Sequence, residues 1–566
     1  MMQPFFLPSR RSKSVAGSSP ATPLNHIVSL PEPIPEEAPQ DPRTPGPSPL
    51  MGPEVPRLWS GCYALAMLTL FVLWVPRAGY AAITLPKHRL FLLLTGVFLG
   101  GLILWGLARL CFRRRLPQTA NDRSLPARIQ SGLVTGLLLL FFLSALTSPY
   151  PQVAWFGNRR HEGFCILALY LLIFAAMARW GRLQRVHALA AAVAGVTVSL
   201  LVIAQFWGYN PLHLYPGNYG FHDRGLLYSG EYLGTIGNSD LLSAYFTLIV
   251  TYLLGTYAVS RSKEAPLYLL AGGLCWFALL LSEVSAGPVA ILAGFLLCLP
   301  LCVARGLVLR RMGDLLAVLA LGALAKSIIG YAYSAGTLTI RFVWGAPAWM
   351  LLGIFILGLL GSFLLRLLPT GWRSPALGWS LVGLMAVAVT AALIYLYGYS
   401  GDSETLQGLS ALLHGNPPDS LGSSRIAIWK EALALAGEKP WLGGGPDTYQ
   451  LRSQLVFSRT TEAGVLLRVG VDAAHNEYLN LWVNTGLPSL MLYLTLLASV
   501  LLPALRRLDR RRLPLALPVL CYSIHALFGI SQTVVTPLFF LFLGALAYAG
   551  KSPPASRPAT GEDKAL

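Results

Sequence analysis

The chain has 566 residues, 54% of them hydrophobic and only 12% charged, where soluble globular chains carry about 25% charged residues. That composition excludes an ordinary soluble domain, and in a membrane protein a net charge of +18 reflects Lys and Arg gathered in cytoplasmic loops rather than a nucleic-acid surface. The seven cysteines (Cys62, Cys111, Cys165, Cys275, Cys298, Cys302 and Cys521) lie in or at the ends of apolar runs; neither a disulfide framework nor a CxxC metal site is expected.

Residues 1–56 are rich in Pro, Ser and acidic residues and read as a disordered cytoplasmic tail without a cleavable signal. A transmembrane bundle of about 11 helices follows over 57–398. Its apolar runs are 58–76, 90–112, 130–148, 163–179, 186–207, 239–258, 265–282, 286–304, 314–333, 348–368 and 377–398. Each is close to the length needed to cross about 30 Å of hydrocarbon. Residues 399–476 form a large polar loop. C-terminal helices over 477–550 comprise 477–503, 514–530 and 532–549, the last two separated only by "GISQTVV" and one of them a candidate re-entrant segment. Residues 551–566 read as a second cytoplasmic tail. The expected fold class is all-α, a polytopic integral membrane bundle of about 12–14 transmembrane helices with one large, partly helical extracytoplasmic loop.

Basic residues set the orientation. "RLCFRRRLPQTANDRSLPAR" (109–128), "RGLVLRR" (305–311) and "RRLDRRR" (506–512) fall on one side, which places both termini in the cytoplasm. The polar clusters then share the other side: "FGNRRHEG" (156–163), the stretch 221–240 ending in "LGTIGNSD", "SEVSAG" (282–287) and the loop 399–476. A transporter buries its polar site near the midplane. Here the chemistry-bearing residues gather at the outer rim.

Within the large loop, "SRIAIWKEALALAGEKP" reads as a helix with Ser424 as N-cap, Gly437 near its end and Pro440 preventing resumption. Arg425 and Trp429, four apart, share a face. The glycines of "PWLGGGPDTY" lack the Lys-Ser/Thr of a phosphate-binding loop. In "VDAAHNEYLN" Asp472 is the expected N-cap, with His475 in the first turn. The partial positive charge of a helix start disfavours imidazolium, and a neutral His is suited to accept a proton. Arg425, with Arg160 and Arg159 from another loop, presents guanidinium groups that match phosphate oxygens. Together they describe a site for a lipid-linked pyrophosphate, with His475 activating a hydroxyl and the arginines stabilising the leaving group.

"HNEYLNLWVNTG" and "RIAIWKEALALAGEKPWLGGGPDTY" resemble the H-N-x-x-L-x6-G and R-x3-W…P-x-x-G-x-G segments of the O-antigen ligase and polymerase family. "FGNRRHEG" and "LGTIGNSD" are similar to the R-x-E-G and G-N segments of family members with this loop arrangement. The resemblance implies transfer of a saccharide from an undecaprenyl-pyrophosphate donor to an acceptor hydroxyl of a saccharide, lipid or protein, outside the cytoplasmic membrane. It implies no metal and no cofactor. Carried over residue by residue, His475 is the catalytic base and Arg425 binds the pyrophosphate. One departure stands out: where members often have Ser-Arg-Gly, this chain has Ser285-Ala286-Gly287. Arg160, Arg224 or Lys326 are the candidates to replace the missing arginine.

Asn476, Glu162, Asp472, Trp429, Asn238, Arg224 and Lys326 are the supporting candidates. Each has a plainer reading beside the functional one. Glu162 pairs with Arg160 at the surface, Asn238 caps the sixth span, and Trp429 and Trp155 anchor at the interface. Lys326 snorkels outward. No cluster of carboxylates, Cys or His suggests a metal. The competing functions are a transporter or flippase of lipid-linked saccharide and a non-catalytic sensor.

Overall fold

In a computed structural model the described residues are 52, 54–112, 125–215, 231–334, 337–369, 372–460 and 466–551. The expected N-terminal tail up to residue 51, the C-terminal tail beyond 551 and Arg224 lie outside them. Eight helices are long and apolar enough to cross a membrane, and four shorter apolar helices accompany them.

The first described element is α1 (Glu54–Ala66), so helix begins before the expected boundary at 57; a π-helical stretch, Met67–Phe71, continues it. Then come α2 (Thr84–Cys111), α3 (Leu125–Leu146), the short α4 (Pro151–Phe156), α5 (Phe164–Trp180) and α6 (Arg185–Phe206). Next are α7 (Ser239–Val259), α8 (Ala265–Leu281), α9 (Ala286–Arg305) and α10 (Met312–Ile328). The expected span 314–333 overran: after Ile328 the backbone turns extended. Ile329–Ser334 (β1) pairs antiparallel with Thr337–Phe342 (β2), in keeping with the Ile and Tyr content that favours strand. The helices α11 (Ala346–Leu367), α12 (Pro375–Tyr397), α13 (Glu404–Leu413), α14 (Leu421–Glu438) and α15 (Tyr449–Arg452) lead to a second hairpin, β3 (Val456–Thr460) with β4 (Leu466–Gly470). The chain closes with α16 (Glu477–Thr485), α17 (Leu487–Arg506), α18 (Leu513–His525) and α19 (Thr536–Lys551).

The helix α7 is the hub, with 89% of its apolar window inside the protein, against 6% for α12 and 17% for α11. Two of its buried threonines are satisfied within the helix itself. Thr247 and Thr251 donate to the carbonyls of Ser243 and Thr247 one turn earlier, at 2.8 and 2.6 Å, a bond that lets hydroxyls sit in an apolar interior. The outer helices α11 and α12 expose Leu, Val, Trp and Tyr along their length, as lipid-facing helices do. Tight packing there uses small residues: a Cβ on Gly313 of α10 would lie 2.0 Å from the Ser362 nitrogen of α11.

Helix is interrupted at two places beside the candidate site, one inside an expected span and one between two of them. The run 477–503 divides into α16 and α17 at Gly486, whose φ is +86° and whose added Cβ would lie 2.0 Å from the Trp441 carbonyl oxygen. Only Gly tolerates both demands. The segment 440–445 runs against this break. Leu487 donates to the Pro440 carbonyl at 2.8 Å, Gly444 to Val483 at 3.0 Å and Gly445 to Asn484 at 2.9 Å. Ser144 of α3 and Ser148 just beyond it donate to the carbonyls of Leu442 and Gly444. The glycines of "PWLGGGPDTY" are therefore a close-packing device that ties the large loop to the bundle.

The second break lies between α18 and α19, where residues 526–535 are non-helical and Val534, Val535, Gln532 and Thr533 are buried. Irregular backbone at such a place is tolerated when protein surrounds it. The expected spans 514–530 and 532–549 are thus shorter helices facing each other across a buried loop.

Candidate active site

The site forms at the end of the bundle where α5, α7 and α16 begin and α18 ends. Residues there come from five stretches of chain far apart in sequence.

His475 directly precedes α16. The N-cap of that helix is Asn476, not Asp472 as the sequence suggests: the Asn476 side chain accepts from Tyr478 N at 3.0 Å and Leu479 N at 3.1 Å. His475 is therefore outside the first turn, with a left-handed φ of +46°. Non-glycine residues seldom adopt that conformation, and where they do it is often tied to function. Asp472 is left free to bind elsewhere. It accepts two bonds from Arg160, 3.1 Å from Nε and 2.8 Å from Nη2, a bidentate pair.

Arg160 is buried, and its remaining arm, Nη1, donates to the Ser531 carbonyl at 3.2 Å. Glu162 is equally buried and does not pair with Arg160 at the surface. It accepts from Tyr170 at 2.9 Å and from the Ser531 hydroxyl. Asp447 fixes the same loop by accepting from the amides of Asn158 at 2.6 Å and Glu162 at 3.3 Å. Arg159, by contrast, is exposed. The segment "FGNRRHEG" thus joins the large loop, through Asp447 and Asp472, to the buried loop at Ser531.

Asn238 caps α7, accepting from Leu241 N at 3.0 Å. Two residues on, Asp240 faces both candidate reactive groups. Its Oδ2 lies 3.7 Å from His475 Nδ1 and its Oδ1 lies 3.8 Å from Arg425 Nη2. All three side chains remain about a fifth to a quarter exposed, at 20%, 27% and 21% for Asp240, His475 and Arg425. They are partly open to solvent, whereas Arg160 is buried. Arg425 does not start the helix in the way expected. Gly422, Ser423 and Ser424 are left-handed, so Ser424 is no N-cap and regular helix begins at Arg425. Arg425 Nη1 donates back to the Gly422 carbonyl at 3.0 Å, while its buried Nε has no hydrogen-bond partner.

Trp429, one turn along from Arg425, tilts against Phe528 with ring centroids 6.3 Å apart. Trp155 packs edge-on against Phe142 and Phe164. Lys326 pairs with Glu283 at 2.7 Å, in the turn just before Ser285-Ala286-Gly287.

Electrostatics separate the groups by role. Burial lowers the His475 pKa; Asp240 opposes this, while Arg160 and Arg425 add to it. The imidazole is held neutral at pH 7 and so is a competent proton acceptor. Burial works against the Asp472 carboxylate, but the Arg160 guanidinium outweighs it and holds it below its usual pKa. Burial pushes Glu162 up to about 7, even though the Ser531 and Tyr170 hydroxyls favour its charged form. In the short helix α16, ahead of the α17 span, burial pushes Glu477 up to about 8; Tyr522 donates to it at 2.9 Å.

Four groups escape sequence reasoning: Asp240, Asp447, Ser531 and Glu477. Asp240 ends the polar stretch 221–240 and is the acid in the first turn of α7, a legible signal. The roles of Asp447 and Ser531 depend on long-range packing and leave no local mark.

An all-α, multi-pass membrane bundle with a His, Arg and Asp cluster at one end is the class that fold and site define. A family model described as O-antigen ligase matches residues 270–494, from α8 into α17, and supports the O-antigen ligase family. The match covers Arg425 and His475; Asp240 and Arg160 come from the chain before it. No curated protein matches the chain.

Proposed function

We propose that this protein is a membrane glycosyltransferase of the ligase/polymerase type. It moves a saccharide from an undecaprenyl-pyrophosphate donor to an acceptor hydroxyl at the outer face of the cytoplasmic membrane, in assembly of a cell-surface polysaccharide or glycoconjugate. The observation that carries the reading is the convergence of the partly exposed His475 and Arg425 on Asp240, at the bundle end opposite the basic loops.

In this reading His475 takes the proton of the acceptor hydroxyl as that oxygen bonds to the anomeric carbon of the donor sugar. The bond from that carbon to the pyrophosphate oxygen breaks, and lipid pyrophosphate leaves with the electron pair. Arg425 meets the developing charge on the pyrophosphate, a preorganised donor where charge builds. Asp240 holds the Nδ1 side of the imidazole, leaving Nε2 to face the acceptor, the logic by which a carboxylate orients a catalytic His. Arg160 acts as a strut: with its three bonds made to Asp472 and Ser531, it holds the loop before His475 in place. Arg159, being exposed, and Lys326, beside Ala286, remain phosphate-contact candidates. No step is assigned to a metal or cofactor.

The test is donor turnover by the full-length protein reconstituted in liposomes with an undecaprenyl-pyrophosphate saccharide. Transfer releases lipid pyrophosphate and joins the saccharide to an acceptor or to a second donor chain. Donor that crosses the bilayer intact would instead identify a flippase, and donor that binds without turnover a sensor.

A further inference from the structure

The end of the bundle opposite His475 carries a cavity of about 430 Å³ where four connections meet: those joining α7 to α8, α9 to α10, α11 to α12 and α17 to α18. Arg261, Arg310, Arg311 and Arg510 line it, with Trp372 and Pro369 on the apolar side. Among the described residues no carboxylate lines it. A second hollow of about 880 Å³ shares Arg261 and Arg510 and adds Arg182, Arg185 and Arg511, but Asp509 also lines it and Arg185 pairs with Glu264.

The nearby acids are already engaged. Asp314 is bonded to Tyr257, Ser362 and Arg366. Asp509 takes Arg512 at 2.8 Å together with the amides of Arg511 and Arg512. Arg310 and Arg311 donate to the carbonyls of Arg366 and Tyr257, and Arg311 lies over the Tyr257 ring at 4.6 Å. These neutral partners aim the guanidiniums without cancelling their charge. Partial burial and the like charges of Arg261 and Arg311 pull the Arg510 pKa down. The bias of basic residues to cytoplasmic loops requires none of this, since charges scattered along loops satisfy it equally. Four guanidiniums around one concavity with no acid form a site electrostatically incomplete until an anion enters.

We propose that this cavity binds a phosphate ester, held between Arg510, Arg261 and Arg311. Guanidinium forks fit phosphate oxygens bidentately. The apolar wall with Trp372, at helix ends where aromatic side chains meet the headgroup level, fits the glycerol end of an anionic phospholipid. A soluble phosphate compound would present the same anion without that tail. The site is separate from the His475 site and stands whether or not glycosyl transfer does.

The experiment measures binding of a fluorescent phosphatidylglycerol to the full-length protein in detergent, with phosphatidylcholine and inorganic phosphate as competitors. Wild type binds the anionic lipid, and phosphatidylcholine fails to displace it. Arg510→Gln and Arg261→Gln each weaken binding about ten- to hundredfold, as loss of a charged hydrogen bond does; Arg510→Lys retains only part of it, since a point charge keeps the attraction but not the fork. Displacement by millimolar inorganic phosphate assigns the site to phosphate as such, and resistance to it assigns the site to the whole lipid; both support the proposal. Unfolding midpoints of the Gln variants in phosphatidylcholine stay at or above wild type, because like-charge repulsion is relieved. Unchanged binding in both Gln variants, or equal displacement by phosphatidylcholine, overturns it.

Discussion

The two ends of the bundle treat positive charge in opposite ways. At the His475 end, three cations answer to carboxylates, Arg160 to Asp472, Arg425 to Asp240 and Lys326 to Glu283, while the buried Lys87 answers to the carbonyls of Phe71 and Val72. At the far end many answer only to backbone. Arg305 donates to the carbonyls of Leu505, Arg506 and Leu508 at the C-terminus of α17, where free carbonyls and the helix dipole welcome a cation. Arg261, Arg310, Arg311 and Arg510 share a hollow without an acid. A neutralised cluster can hold a histidine uncharged and position it. A surplus of bare guanidiniums can only attract anions and fix which side of the membrane it faces. Chemistry is therefore expected at the first end and orientation at the second.

Four substitutions or titrations sharpen that contrast. The largest effect falls on Arg425→Ala, where loss of one charge-stabilising donor lowers turnover about 10²–10³-fold. Arg425→Lys restores only part, since a point charge does not reproduce the fork. Next is Asp472→Ala, which strands the buried Arg160 guanidinium. Asp472 is 37% exposed, so the cost falls below the about 3–5 kcal/mol of a fully buried pair, and is read as a lower unfolding midpoint in detergent. An Arg310→Ala change at the exposed far end costs less than about 0.5 kcal/mol in the same assay.

Asp240→Asn comes third, with turnover falling about tenfold or more for want of an oriented imidazole. Asp240 is the first force raising the His475 pKa against burial, so its removal moves the acid limb of the pH–rate profile to lower pH. A limb that stays in place or moves up would break the assignment. The smallest effect is on stability against pH. Glu162 and Glu477 titrate near 7 and near 8 in the folded protein against 4.5 unfolded. The folded state then binds more protons, so this contribution is full below about pH 4.5 and fades as pH rises to 8. Glu477→Gln, which keeps an uncharged side chain at that position, flattens the slope.

Much of the fold was legible because hydrophobic length is a strong signal. Every apolar run has its helix, from Thr84–Cys111 to Thr536–Lys551. What was missed is where backbone leaves the helix for packing reasons. Neither the hairpin after Ile328 nor the break at Gly486 interrupts apolarity, so the runs 314–333 and 477–503 looked continuous. For the site, His475 was visible as a polar residue set against lipid-depth sequence, and Arg425 as a guanidinium on the helix of the large polar loop. Asp472 was singled out as a helix cap, whereas it is the partner of a buried arginine. The helix is capped instead by Asn476, four residues on, while Asp472 is taken up by Arg160. That pairing spans |i−j| = 312 and leaves no local trace.

The most direct measurement is release of undecaprenyl pyrophosphate by purified His475→Ala in liposomes, beside wild type at equal protein and equal donor. The His475 base predicts a rate at least about 10²-fold lower, with unfolding midpoint and membrane insertion unchanged. A His475→Ala protein that releases lipid pyrophosphate at the wild-type rate would contradict it.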